Sequence, residues 1–265
     1  MLFENLKQDF IAHAEDVFPE EMLGVVVDGK YVRLKNVDAE PDKYFQMSPE
    51  DELKYGFADP EQGKKPQMIL HSHPDSPFEP SYADMKAQIA TGVPFGLVQH
   101  SLEYGWRYLE WGDHILDEPL LEREFIHGVQ DCKEAIRAWF WQEKGIYLPG
   151  IARRNFWWEP VFVGDDWEAG EVAEPSQDLY AENFEKWGFV QLTSEDELQP
   201  GDVFFYCLNL RNRVQLPRSV ENHGGVYLGN GEIYHHLPGR LSEVTAADGW
   251  ARKATRWVRY KGEEE

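Results

Sequence analysis

Two histidines one residue apart, His71 and His73, precede Ser81 and Asp84 by a short fixed interval. Imidazoles at i and i+2 near a strand end point to the same side, and a helix that follows can return a carboxylate to them. His71, His73 and Asp84 then make three ligands with a fourth position open, the arrangement of a catalytic zinc (Zn2+) site. A water in that position has its pKa lowered toward neutrality, and a nearby carboxylate can serve as general base. Ser81-x-x-Asp84 is also the spacing of an ordinary helix N-terminal cap, so the segment predicts a helix start with or without a metal.

The second group is Cys132 with His223 and His235. Asp131-Cys132 opens a helical pattern, and a thiol at a helix N-terminus is favoured as thiolate by the positive end of the dipole. The alternative is a buried structural thiol, because Ile136, Trp139 and Phe140 follow on the same helical face. His223 and His235 flank Asn230-Gly231, a hairpin turn that brings its outer ends together. One imidazole can then activate the thiol while the other orients the first, as a nucleophile, base and orienter require. His236 is the rival for the orienting role, although strand alternation sends it to the opposite face.

The elements that must position these residues are legible in outline. Apolar residues at three- and four-residue steps predict a helix over 3–17, stopped by Pro19. Strands at 22–27 and 31–37 are joined by Asp28-Gly29, a short strand covers 66–71, and a helix runs from Ser81 to a stop at Gly92. Further strands fall at 95–98 and 106–111. In the second half a helix spans 131–144 with Gly145 as its stop, 153–170 reads as loop, and 179–187 reads as helix. Strands at 203–208, 223–228, 232–237 and 255–260 and a charged tail complete the chain. The fold class is α+β, with a mixed sheet and flanking helices first and a papain-like α+β unit with an antiparallel sheet second. A composition shift at 112–124 places the boundary near Asp113, giving domains 1–112 and 113–265.

A formal charge of −22 opposes any sequence-independent grip on nucleic acid and adsorption to anionic membranes. No run approaches the roughly 20 apolar residues a membrane helix needs, so no membrane insertion is expected. Charged residues interrupt the first 18 positions, so no secretory signal is expected. Two cysteines, Cys132 and Cys207, do not make a disulfide framework.

The first half resembles the JAMM (MPN+) metallopeptidases, whose motif is an upstream Glu, then H-x-H, seven residues, and S-x-x-D. His71, His73, Ser81 and Asp84 match without insertion, and Pro19-Glu-Glu21-Met-Leu-Gly24 matches the upstream part. The resemblance implies Glu21 as general base, Ser81 as support for the oxyanion, and hydrolysis of a peptide or isopeptide bond. Glu20 is the alternative base. The second half resembles the NlpC family of cell-wall peptidases through Asp131-Cys132, Pro200-Gly-Asp202, His223-Gly-Gly-Val-Tyr-Leu-Gly and Tyr-His235-His-Leu-Pro-Gly. It implies a Cys132-His223-His235 triad acting on peptidoglycan peptides. Lys133 follows the cysteine where the family has a small or aromatic residue, and Leu120 stands where many members place an oxyanion-donating Tyr.

The two families fused in this order resemble the tail tip assembly proteins of long-tailed phages. That resemblance implies other tail tip proteins as partners, assembly in the host cytoplasm, and a place at the virion tail tip acting on the cell wall. The competing expectation is a tail tip component whose peptidase folds are inactive or weakly active docking modules.

Overall fold

The computed structural model describes residues 2–162, 172–193, 197–208 and 220–262. It separates into two compact units, Met1–Ile115 and Leu116–Glu265. Each is a mixed α+β body built on its own sheet.

In the first unit a short 3-10 turn leads into helix α1 (Lys7–Val17), which buries Phe10, Ile11 and Ala14. Strands β1 (Leu23–Val27) and β2 (Lys30–Leu34) form a hairpin. Asp28 and Gly29 both take positive φ, 52° and 69°, which suits the twist of a two-residue hairpin turn. Helix α2 (Pro49–Lys54) was not expected: it buries nothing, so it has no apolar period, and its mark is the Ser48 cap before Pro49. Strand β3 (Met68–Ser72) is fully buried, and helix α3 (Tyr82–Thr91) carries the chain from it to the parallel strand β4 (Phe95–Ser101). Strand β5 (Gly105–Trp111) completes the order β2-β1-β3-β4-β5. Val26, Met68, Leu70 and Val98 pack against the α1 face, so the ends of β1, β3 and β4 are held in fixed register.

The second unit centres on helix α4 (Cys132–Lys144), capped by Asp131 and ended by Gly145 at φ 64°. A two-stranded ribbon, β6 (Val161–Phe162) with β7 (Val172–Glu174), enters the segment expected to be loop; residues 163–170 of that segment lie outside the described residues, as do 263–265 of the expected charged tail. Helix α5 (Leu179–Asn183) is shorter than expected, because 184–188 turns to feed strand β8 (Phe189–Gln191). Strands β9 (Val203–Tyr206), β10 (His223–Gly229), β11 (Glu232–His235), β12 (Glu243–Ala246) and β13 (Arg256–Tyr260), with helix α6 (Asp248–Ala251) between the last two, give the antiparallel order β12-β11-β10-β9-β13-β8. Ile136, Trp139 and Phe140 of α4 pack on Phe205, Val226 and Tyr234. Phe204 and Ile233 face the other side with Trp250 and Trp257.

Candidate metal centre and cysteine site

His71 lies in β3 and His73 just beyond its end, where the Ser72 hydroxyl accepts a hydrogen bond from the Met22 backbone amide at 2.8 Å. That bond ties the histidine segment to the residue after Glu21. His71, His73 and Asp84 are all buried, and their candidate ligand atoms lie within 4.8 Å of one another. The two Nε2 atoms stand 3.2 Å apart, and Asp84 Oδ2 is 3.6 Å from His71 Nε2 and 3.4 Å from His73 Nε2. Bonds of about 2.0–2.1 Å at the tetrahedral angle put two zinc ligand atoms roughly 3.3 Å apart, so the donor set has the spacing zinc needs. His73 Nδ1 is 2.9 Å from the Pro77 carbonyl, the outer bond that leaves Nε2 free to ligate.

Asp84 is positioned by the cap. Ser81 Oγ accepts from the Asp84 amide at 3.1 Å, and Asp84 Oδ2 accepts from the Ser81 amide at 2.7 Å, so the capping and ligand expectations are met by the same residues. The Ser81 side chain is exposed, and its hydroxyl proton has no protein acceptor among the described residues. Glu21 is buried while Glu20 is exposed. The Glu21 amide donates to Pro41 O at 2.6 Å and its carbonyl accepts from Asn36 Nδ2 at 3.2 Å, which fixes the backbone beneath the carboxyl. Burial raises the Glu21 pKa to about 7, with Asp84 and Asp38 adding to it and His73 opposing. A bound cation would pull it back down.

At the second site Asp131 organises the start of α4. Its Oδ1 accepts from the amides of Lys133 at 3.0 Å and Glu134 at 3.1 Å, and its Oδ2 from Gly128 N at 2.8 Å and Arg153 Nη2 at 2.5 Å. Despite burial, Arg153 beside it holds the Asp131 carboxyl well below the usual range. Cys132 Sγ lies 3.3 Å from the Tyr180 hydroxyl and 3.9 Å from the Asn222 carbonyl. Burial pushes its pKa up to about 11, reinforced by the Asp131 carboxylate, while Tyr180 and Arg153 oppose. The expectation of a depressed thiol pKa is therefore corrected for this conformation: burial, with the Asp131 carboxylate, favours the neutral thiol. Lys133 is buried too, donating to Pro149 O at 3.1 Å, with its pKa lowered by burial to about 7.

His223 and His235 are brought together. Gly225 faces His235 across the β10–β11 ladder, and a Cβ there would sit 2.7 Å from the His235 Cβ. Only a glycine leaves room for the ring. His223 Nε2 is 3.1 Å from His235 Nδ1, and His235 Nε2 is 3.2 Å from Thr245 Oγ1. If Thr245 accepts from His235 Nε2, and His235 Nδ1 accepts from His223 Nε2, then His223 Nδ1 is left as a free base; that atom is buried without a protein partner. Burial lowers the pKa of both rings, of His235 to about 4, so both are neutral near pH 7. The rings pack with Phe204 and Trp250, on the sheet face away from α4. Consequently no hydrogen bond joins Cys132 to His223 among the described residues. His236 points the other way, 3.1 Å from Arg240 O.

Sequence reasoning missed Tyr180, Thr245 and Arg153. Tyr180 is 48 positions from Cys132, and no spacing in the chain links the two. Thr245 sits on a short strand with half-exposed alternation, and Arg153 in a segment without period.

Residues 3–110 match the family of prokaryotic homologs of the JAB domain, and residues 108–259 match the NlpC/P60 family. Tail tip assembly protein K of Escherichia phage N15 is 28% identical over 263 residues, spanning 95% of this chain and 92% of that protein. Tail tip assembly protein K of Escherichia phage lambda is 31% identical over 208 residues, spanning 78% of this chain and 85% of that protein. An NlpC/P60 family protein from Bacillus cereus superposes with a TM-score of 0.30 at 13% identity, over 96% of this chain and 66% of that one, too loosely to bear on the fold. With a JAB domain ahead of its cysteine unit, the chain belongs to the NlpC/P60 family and to the family of the phage tail tip assembly proteins K.

Proposed function

We propose that this chain works in phage tail tip assembly, in contact with other tail tip proteins, and carries a zinc metallopeptidase centre in its first unit and a peptidoglycan-cutting cysteine peptidase in its second. The observation that carries the catalytic part is the donor set of the first unit, with separations of 3.2, 3.4 and 3.6 Å. Zinc held by His71, His73 and Asp84 would supply a Lewis acid and an acidified water. Glu21 takes the proton of the attacking water and passes it to the leaving amine, and the free Ser81 hydroxyl donates to the carbonyl oxygen as it gains charge.

In the second unit His223 Nδ1 would take the thiol proton, Cys132 would attack the carbonyl carbon, and the imidazolium would return the proton to the leaving amine. His235 and Thr245 hold the ring, and the Tyr180 hydroxyl donates to the developing oxyanion. The thiol must first leave Tyr180 for the His223 ring. That requirement favours a second reading, in which this unit is a docking module: Cys132 is 3% exposed and has no imidazole partner among the described residues.

Release of soluble muropeptides from purified peptidoglycan separates the two. Wild type and Glu21→Gln should release them and Cys132→Ala should not. Absence of release by wild type, with metal and reductant present, leaves the docking module.

A further inference from the structure

A groove of about 500 Å³ opens beside His73 in the first unit. It runs between the C-terminal end of α1, the residues after β3, and the β4–β5 turn. Phe18, Val98, Leu102 and Trp106 give it an apolar lining, and Phe18 and Leu102 are 65% and 103% exposed although large and apolar. The volume falls in the range of about 300–1,000 Å³ typical of ligand sites.

Its charge is one-sided. Glu15, Glu20 and Asp75 line it, and no Lys or Arg does. Glu15 accepts from Trp106 Nε1 at 3.1 Å. Neither Glu20 nor Asp75 has a Lys or Arg partner among the described residues, whereas Asp16 and Asp28 nearby in the chain are each paired. A generally acidic chain scatters carboxylates over its surface; here three share one apolar concavity that ends at a candidate zinc ligand and begins one residue before the candidate base.

We propose that this groove binds an extended peptide segment carrying apolar and basic side chains, and that such a segment is the substrate of the first unit. The inference rests on the metallopeptidase reading of that unit. Lys and Arg suit both surfaces at once, since their aliphatic stems cover apolar walls while their heads reach carboxylates. Acidic peptides and anionic polymers are repelled by the same three groups. The first unit would thus take a protein segment, and the anionic cell wall would be left to the second.

The test uses the full chain as the zinc-loaded Glu21→Gln variant, which holds a substrate without cutting it. Three fluorescein-labelled ten-residue peptides of equal apolar content, with Lys, Gln or Glu at alternate positions, are titrated and followed by anisotropy. The Lys peptide should bind at least about tenfold more tightly than the Glu peptide, the order expected of several exposed charge pairs acting together. Adding Glu15→Gln, Glu20→Gln and Asp75→Asn should cut that ratio below about threefold. These side chains are exposed, so the fold tolerates the change, and a nonspecific pull from the remaining acids would persist undiminished. Leu102→Ser, which removes apolar lining without adding charge, should weaken all three peptides. Equal binding of Lys and Glu peptides, or a ratio unchanged in the triple variant, overturns the proposal. Zinc content measured on the same samples keeps the two ideas apart: selective binding without zinc removes the metallopeptidase reading alone, and zinc without selectivity removes this one alone.

Discussion

Arg153→Met removes the guanidinium that faces Asp131 and keeps an apolar stem in its place. Arg153 is 1% exposed, donates to Asp131 Oδ2 at 2.5 Å, and reaches Glu134 Oε1 at 3.4 Å. Taking one partner from a buried pair costs about 3–5 kcal/mol, because the remaining charge stays desolvated. Against a domain stability of roughly 5–15 kcal/mol that is at least about a fifth. With a urea m-value near ~2 kcal/mol/M, the midpoint of the second unit's transition should fall by about 2 M. The pH dependence has a defined sign. Asp131 has its folded pKa depressed by Arg153, so the pair's contribution is complete above the ordinary aspartate value and is lost as pH falls through the lower folded value. In the variant the unpaired carboxyl protonates earlier, so the gap to wild type should be widest near pH 7 and close on acidification. Urea melts at several pH values measure both quantities. Adding Asp131→Asn to Arg153→Met should recover part of the loss, since the stranded charge is gone while a capping oxygen remains. A gap below about 0.5 kcal/mol at pH 7, the size of an ordinary surface change, or one that widens in acid, refutes this account of the α4 start.

In a Cys207→Ser background, Tyr180→Phe should raise the apparent pKa of Cys132, read from the pH dependence of iodoacetamide labelling, by about one unit, the worth of a hydrogen bond to a charged group; an unchanged profile would show that the 3.3 Å contact does not act on the thiol. With both cysteines present, native protein should be labelled first at half-exposed Cys207, and first labelling at Cys132 would mean that the buried conformation is not the resting one. Thr245→Val keeps the shape of the side chain and removes the hydroxyl at His235 Nε2, so nitrogen NMR of the His223–His235 pair should report a changed tautomer balance while stability moves by less than about 1.5 kcal/mol. An unaltered imidazole spectrum would remove Thr245 from the chain of bonds.

What could be read in the sequence was local. Ser81 and Asp131 start helices and Gly92 and Gly145 end them because a cap is a matter of two to four residues. Asp28-Gly29 and Asn230-Gly231 are turns for an equally local reason, their positive φ values. The histidine pair at 71 and 73 and the carboxylate at 84 could be found because strand and helix geometry act over that distance. The protonation of Cys132 could not: the helix start favours thiolate, whereas burial in the folded core, with the Asp131 carboxylate beside it, favours the neutral thiol. Tyr180 and Arg153 meet the α4 start through tertiary folding alone. Strands β8 and β12 were missed because three or four residues that are mostly exposed or half-buried do not stand out from a loop.

Zinc content of the purified full-length chain tests the central claim most directly. One zinc per chain is the number that a single three-ligand centre holds. Wild type and Glu21→Gln should both carry it, because Glu21 is assigned as base and not as ligand, whereas the His71→Ala, His73→Ala double variant should carry none while its far-ultraviolet circular dichroism stays that of wild type. A double variant that keeps its full zinc, or a folded wild type that takes up no zinc from solution, contradicts the centre.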